Sequence, residues 1–217
     1  MNNIIDETTG YYTNQRKEML EFISSSSRKI LDIGCSEGNF GILIKNKLNA
    51  EVWGIELVEK AASVASRKLD QVIQGDFLEK CGDLPGNYFD CVIFNDALEH
   101  FPDPWLVLGK LKRLLAENGS VVASIPNVRY IGNLVELIFK KDWEYKDGGG
   151  ILDISHFRFF TKKSIIRMFE QSGYTINRIQ GINATPSWKV KLLSALSFGH
   201  FSDVRYLEFA VVANLKK

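Results

Sequence analysis

Residues 29–41 constrain the fold of this chain more than any other segment. A short strand, Lys29-Ile30-Leu31-Asp32-Ile33, passes into Gly34, Cys35, Ser36, Glu37 and Gly38, and then into Asn39 and Phe40. A strand that ends in an acid, a glycine turn and a new helix make a βα unit. Gly34 and Gly38 let backbone pass close to a ligand where a Cβ would collide. The helix start at Asn39 presents unpaired N–H groups and the positive end of a dipole, which suits a carboxylate or phosphate.

The unit then repeats. Short strands are expected at 29–33, 52–55, 71–74, 89–94 and 120–125, and helices at 39–48, 58–68 and 104–115. Phe40, Leu43, Ile44 and Leu48 fall at helical spacing. Residues 89–94 are apolar apart from Asp90, as in a strand covered on both faces. Pro104 stands near a helix start, where its missing N–H is harmless. Strands alternating with helices at this pitch imply βαβ units and a parallel sheet. An initial helix is expected over 12–23. The alternation breaks after Pro126, where an insert at 127–160 carries a helix (131–139) and a glycine-rich loop. A helix at 162–172 follows, with Thr161 as N-cap and Gly173 as stop. Strands at 174–180 and 207–215 close the chain as a long hairpin, with a short helix between them at 188–198. The expectation is an α/β, Rossmann-like three-layer sandwich: a seven-stranded, mostly parallel sheet with an antiparallel last strand. One domain is expected over 1–217, with 1–27 as a lid and 127–160 as a cap.

Composition narrows the function classes. The 217 residues are 45% hydrophobic and 24% charged, which suits a globular domain. A net charge of +1 gives no reason to expect a nucleic-acid partner. Cys35, Cys81 and Cys91 are odd in number and lack CxxC spacing, so reduced, packed cysteines and a cytoplasmic location are expected. No signal peptide is visible, and no apolar run approaches the roughly 20 residues of a membrane span. No metal-ligand spacing stands out.

The glycine turn does not fit a nicotinamide dinucleotide. Read from Gly34, the second and third glycines of G-x-G-x-x-G fall on Ser36 and Asn39. An acid followed by G-x-G-x-G spacing instead resembles motif I of class I S-adenosylmethionine-dependent methyltransferases, with Ser36 where that family more often has glycine. The next motifs follow in that family's order. Glu56 ends the second strand in Gly54-Ile55-Glu56-Leu57, and Asp76 follows the third in Gly75-Asp76-Phe77. Asn95-Asp96-Ala97-Leu98-Glu99-His100, then Asp103-Pro104, resembles the "LEH…DP" pattern of the ubiquinone-biosynthesis O-methyltransferase type. The resemblance implies S-adenosylmethionine as cofactor, held by Asp32, Gly34, Ser36, Gly38, Glu56, Leu57, Asp76, Phe77, Asn95, Asp96 and Ala97. Tyr11, Tyr12 and Arg16 resemble a lid segment that closes over it.

On the acceptor side, residues 152–161 resemble the "H-x-RFFT" segment of methyltransferases encoded with glycosyltransferases for surface polysaccharides. This implies a sugar, nucleotide-sugar or glycan-precursor acceptor. Asn127, Arg129 and Arg158 are candidate acceptor contacts, and His156 and His100 are candidate bases, since imidazole titrates near neutrality. Each also suits a fastening role within the insert. Residues 131–141 and 188–198 pair apolar residues with lysines; a packed cap is expected there, with a membrane surface as the other reading. O-methylation of a small hydroxylated acceptor leads. A non-catalytic S-adenosylmethionine-binding module, RNA methylation and a nicotinamide oxidoreductase are the other classes. Oligomeric state stays open.

Overall fold

The computed structural model describes residues 15–216. Seven strands form one sheet: β1 (Lys29–Ile33), β2 (Glu51–Glu56), β3 (Gln71–Gln74), β4 (Phe89–Asn95), β5 (Leu115–Pro126), β6 (Tyr174–Ala184) and β7 (Tyr206–Leu215). Their order is β3-β2-β1-β4-β5-β7-β6. The first five are mutually parallel, and β7 runs antiparallel to both β5 and β6. The chain leaves β1 toward β2 and β3, then returns to β4 on the other side. That reversal opens a crevice beyond the carboxyl ends of β1 and β4, where open α/β sheets take their ligands.

Period-two alternation sends successive side chains to opposite faces. Leu31, Ile33, Val92 and Phe94 pack on one face with Val107, Leu108 and Leu111 of α4 (Pro104–Leu111) and Ile165, Met168 and Phe169 of α6 (Lys162–Gln171). Ile30, Val52, Cys91 and Ile93 pack on the other with Phe40 and Ile44 of α1 (Asn39–Leu48), Ala65 of α2 (Glu59–Ala65), and Met19 and Phe22. Phe94 is wholly buried, and truncating such a side chain to Ala costs roughly 3–5 kcal/mol. All three cysteines are free and buried.

Several boundaries differ from expectation. The initial helix is a 3-10 helix, Lys17–Phe22, entered from Arg16 in a left-handed conformation (φ 44°). Residues 1–14, including Tyr11 and Tyr12, lie outside the described residues. The helix after Pro104 stops at Leu111, and β5 already pairs at Leu115, with a register shift before Ser120. Gly119 absorbs that shift, since a Cβ there would stand 2.8 Å from the Phe89 carbonyl. A short helix absent from the expected pattern, α3 (Phe77–Lys80), is capped by Asp76. Thr161 and Ser164 form a reciprocal capping box at the head of α6.

The insert begins with α5 (Ile131–Val135), continues as one π turn (Glu136–Lys140), and runs on as loop to residue 160. Its ends are held together by the Val128 N–H donating to the Phe160 carbonyl (2.8 Å). Between β6 and β7 lies α7 (Trp188–Leu196), whose Trp188 and Leu196 are exposed, as is Phe198 beyond it.

Candidate active site

Backbone hydrogen bonds stitch the ends of β1, β2 and β3 into one wall. Gly34 and Cys35 N–H both donate to the Ile55 carbonyl (2.8 and 3.1 Å), and Gly75 N–H donates to the Glu56 carbonyl (2.9 Å). Gly34 is left-handed (φ 76°), and a Cβ there would stand 3.3 Å from the Ala97 Cβ. Glycine is therefore needed where the turn after β1 meets the turn after β4. Ser36 adopts φ 51°, a left-handed conformation that costs roughly 1–2 kcal/mol without glycine.

Two acids meet at this wall. Glu56 accepts from Ser36 N–H and Val58 N–H, both at 2.8 Å, so its carboxylate clasps the glycine turn to the end of β2. Asp32 is 2% exposed, and its Oδ1 has no hydrogen-bond partner among the described residues. Burial, then the charge of Glu56, pushes its carboxyl up to about 7. Asp76 follows Gly75 at the end of β3; its Oδ1 accepts from Leu78 N–H (2.6 Å). Phe77 beside it is buried, whereas Leu57 is exposed.

Across the crevice, both side-chain polar atoms of Asn95 are buried without a partner. Buried polar atoms are almost always paired, so orphans concentrated at the ends of β1 and β4 mark a surface built for a polar ligand. Asp96 turns left-handed (φ 49°) and is fixed from two sides. Its Oδ1 accepts from the Ser124 hydroxyl (2.9 Å), and its Oδ2 pairs with Arg16. Arg16 also binds Glu208 (2.5 Å). Burial opposes the guanidinium charge, but Asp96 and Glu208 hold it protonated above its ordinary range. Glu208 itself is pushed up to about 7, by burial and by Asp96.

The 3-10 turn Leu98–His100 continues from Ala97, and the insert docks on it. Phe157 and Arg158 N–H both donate to the Glu99 carbonyl (2.9 and 3.2 Å). His100 and His156 meet edge to face, with ring centroids 4.7 Å apart. His156 Nε2 lies 3.9 Å from Glu99 Oε1. The two donors at 99 and 100 are more than fifty residues from His156, so no spacing rule reveals the trio. Burial lowers the affinity of His100 for a proton, as does neighbouring His156; burial does the same at His156 itself. Burial and the charge of Asp96 raise the Glu99 carboxyl. Phe159 gathers Trp143 (5.5 Å) and Tyr145 (6.1 Å) into an aromatic cluster alongside His156.

The three expected acceptor contacts are engaged within the protein. Asn127, wholly buried, donates to the Asp203 and Tyr206 carbonyls (both 3.0 Å). Arg129 makes a two-pronged pair with Asp203 (2.6 and 3.2 Å). Arg158 is exposed, donates to the Pro102 carbonyl, and lies over Trp105. Glu99 and Glu208 were missed by sequence reasoning. Glu99 lies in the Leu98-Glu99-His100 motif, but nothing in the sequence signals its burial; Glu208 sits in an ordinary strand.

A cavity of about 620 Å³ lies at the opposite edge of the sheet, lined by Ser24, Asp90, Asn118 and Asn214 among others. The site is assigned to the carboxyl edge instead, because the orphaned polar groups and the strand-end acids are there.

Residues 8–179 match the model of a family described as a methyltransferase domain. The chain is 27% identical over 186 residues to a ubiquinone biosynthesis O-methyltransferase of Aeromonas salmonicida, covering 83% of this chain and 74% of that one. It is 27% identical over 178 residues to a demethylmenaquinone methyltransferase of Staphylococcus aureus, covering 70% of each. Its fold is similar to that of a crystallised S-adenosylmethionine-dependent methyltransferase from Archaeoglobus fulgidus (TM-score 0.65, 19% identity, 94% and 92% of the two chains). The match spans most of the chain and takes in the crevice with both of its walls: the chain belongs to the methyltransferase domain family and is an S-adenosylmethionine-dependent methyltransferase.

Proposed function

We propose that the protein O-methylates a small hydroxylated acceptor, a sugar or glycan precursor, in the cytoplasm. The observation that carries this reading is the His100–His156 pair beside the crevice. Carbonyl oxygens only accept hydrogen bonds. The contacts of His156 Nδ1 with the Ile151 carbonyl (3.0 Å) and of His100 Nδ1 with the Ser155 carbonyl (3.3 Å) therefore put the proton of each neutral ring on Nδ1. Each Nε2 is then a lone pair, able to take a hydroxyl proton, and the lowered proton affinity keeps both rings neutral near pH 7.

The crevice suits the cofactor. A cationic ligand rich in N–H and O–H donors matches the orphaned Asp32 Oδ1, the Glu56 carboxylate and the amide of Asn95. Gly34, Ser36 and Gly38 would cradle its methionine end, Glu56 and Leu57 its ribose, and Asp76 and Phe77 its adenine; Asn95, Asp96 and Ala97 would flank the reacting end. When bound, S-adenosylmethionine supplies an activated methyl group on a sulfonium. The protein then has to align the acceptor, exclude water and accept one proton. The insert serves the first two tasks: the aromatic cluster around Phe159 offers a ring face to a cyclic acceptor, and Arg158 stands at its rim. Arg16 and Ser124 hold Asp96 still at the junction of the two halves.

Exposed Ile138, Phe139, Leu196 and Phe198 favour a second reading, an acceptor with an apolar ring or tail of the kind the quinone-pathway relatives' names suggest. Incubation with labelled cofactor and panels of nucleotide sugars, glycans and quinols, read by mass shift and by the position of the new methyl, tests both. O-linked methyl on a sugar is expected. Methyl found only on carbon or nitrogen, or transfer to no panel, would overturn the O-methylation reading.

A further inference from the structure

We propose that the outward face of α7, with Phe198 beyond it, docks the protein on the surface of an anionic lipid bilayer. Trp188, Leu192 and Leu196 stand four residues apart, so they line one stripe of the helix. Trp188 is 67% exposed and Leu196 72%, and Leu192 and Leu193 are exposed with them. Val190 is the buried residue of the helix, on the opposite side. The usual polarity of a surface helix is thus reversed, with the apolar stripe outward. Phe198, just past the helix, is fully exposed and left-handed (φ 50°), a conformation rare for a bulky residue.

Charge decides what covers this face. No acid occurs between Glu170 and Asp203, whereas Lys189 and Lys191 flank the apolar stripe on either side. Asp203 is already taken by Arg129 (2.6 Å). A second copy of the chain, meeting this face through its own α7, would set the lysines against their equivalents with no carboxylate to offset them. An anionic bilayer offers negative headgroups to the lysines and an acyl boundary to the side chains between them. Trp188 suits the same depth, since indole settles at headgroup level. Exposure alone does not make such a face. Ile138 and Phe139 of the insert are also exposed, but residues 136–147 hold four acids against three lysines, and Glu136 pairs with Lys140 and Lys146 (both 3.5 Å).

The face stands where docking would bear on the reaction. Pro126 of β5 pairs with Glu208 of β7, so the segment that leads from α7 into β7 reaches the carboxyl ends of the parallel strands, where the crevice opens. Asn127 and Arg129 fasten that segment through Asp203. A bilayer against α7 would therefore hold the acceptor side of the crevice beside the headgroup layer. Delivery of an acceptor from that layer rests on the function proposed above; the docking itself does not.

The test is flotation of full-length, tag-free protein with vesicles, without cofactor or acceptor. Vesicles of phosphatidylcholine and phosphatidylglycerol in equal parts should carry the protein, and phosphatidylcholine alone should carry far less. Binding should fall roughly tenfold as salt rises from about 50 to about 500 mM. Lys189→Glu with Lys191→Glu, and Trp188→Ser with Leu196→Ser, should each weaken it by roughly tenfold or more, while Lys47→Glu on α1 leaves it within about twofold. Trp188→Phe keeps an apolar ring and should still float, yet lose most of the fluorescence quenching that bromine-labelled lipids produce in wild type. Circular dichroism checks that each variant is folded; if the serine pair is not, the lysine pair gives the same reading. Absence of flotation on anionic vesicles, equal flotation on neutral ones, binding unchanged in the lysine pair, or quenching retained in Trp188→Phe would each overturn the proposal. So would a wild-type dimer in sedimentation that the serine pair converts to monomer, which would assign the face to a second copy. Because flotation is read without acceptor, failure to find O-methylation leaves this result standing, and the reverse also holds.

Discussion

Asp32→Asn should make the cofactor-free protein more stable while weakening its hold on S-adenosylmethionine. The Asp32 carboxyl sits at about 7 in the folded protein because it is buried beside Glu56. In the unfolded chain it returns to about 3.9. Between those limits the native state holds a proton that the unfolded state has released, so stability falls as pH rises. At roughly 1.36 kcal/mol for each pH unit, the full cost above pH 7 is on the order of 4 kcal/mol. Asparagine removes that cost and replaces it with an amide that lacks a full set of partners, at about 1–3 kcal/mol. The net expectation at pH 8 is a gain of about 1–3 kcal/mol, or a Tm rise of very roughly 2–10 °C for a chain of this size. Thermal melts of both proteins from pH 5.5 to pH 8 provide the assay. Wild type should lose about 2 kcal/mol relative to the variant between pH 5.5 and pH 7; the difference cancels other titrating groups, including Glu208. A variant less stable than wild type at pH 8, or parallel pH profiles, would refute the argument that an orphaned, buried carboxyl is held here at the expense of stability. Calorimetry with S-adenosylmethionine supplies the second arm, in which the variant should bind more weakly.

Other residues carry equally definite expectations. Arg16→Ala leaves buried Glu208 and half-buried Asp96 without their cation and should cost about 3–5 kcal/mol, read as a lower urea midpoint. Gly34→Ala forces a side chain into φ 76° against Ala97; it should lose roughly 1–2 kcal/mol of stability and a larger share of cofactor affinity by calorimetry. Asn127→Ala removes two donations to the β7 approach from a wholly buried side chain, and a loss of about 2–3 kcal/mol in chemical denaturation is expected. Phe198→Ser, on a fully exposed ring, should shift stability by no more than about 0.5 kcal/mol, and any loss of vesicle flotation in that variant would report the apolar surface directly.

Local rules carried far along this chain. The short apolar runs at Ile30–Ile33 and Phe89–Phe94 and the 3.6-residue pattern of α1 specify their own geometry, and Thr161 announces the start of α6 through a hydrogen bond to a near neighbour. Local rules ran out where a choice depended on distant partners. The helix after Pro104 ended early because Leu115 was already paired to Phe89, and the initial segment became a 3-10 turn beginning at left-handed Arg16. The partners of Asn127 and Arg129 within the fold are likewise set at a distance: both bind the segment around Asp203, more than seventy residues on.

What the amino-acid order determined by itself was the succession of strands, turns and helices, and with it the acids and glycines at the ends of β1, β2 and β3. These follow from side-chain period, turn chemistry and backbone freedom, all of which act over a few residues. Tertiary structure alone decided which polar groups stay unpaired. The isolation of the Glu99 carboxylate, the junction of His100 with His156, and the capture of Asp96 by Arg16 and Glu208 all depend on burial and charge, and both are sums over parts of the chain that meet only when it is folded.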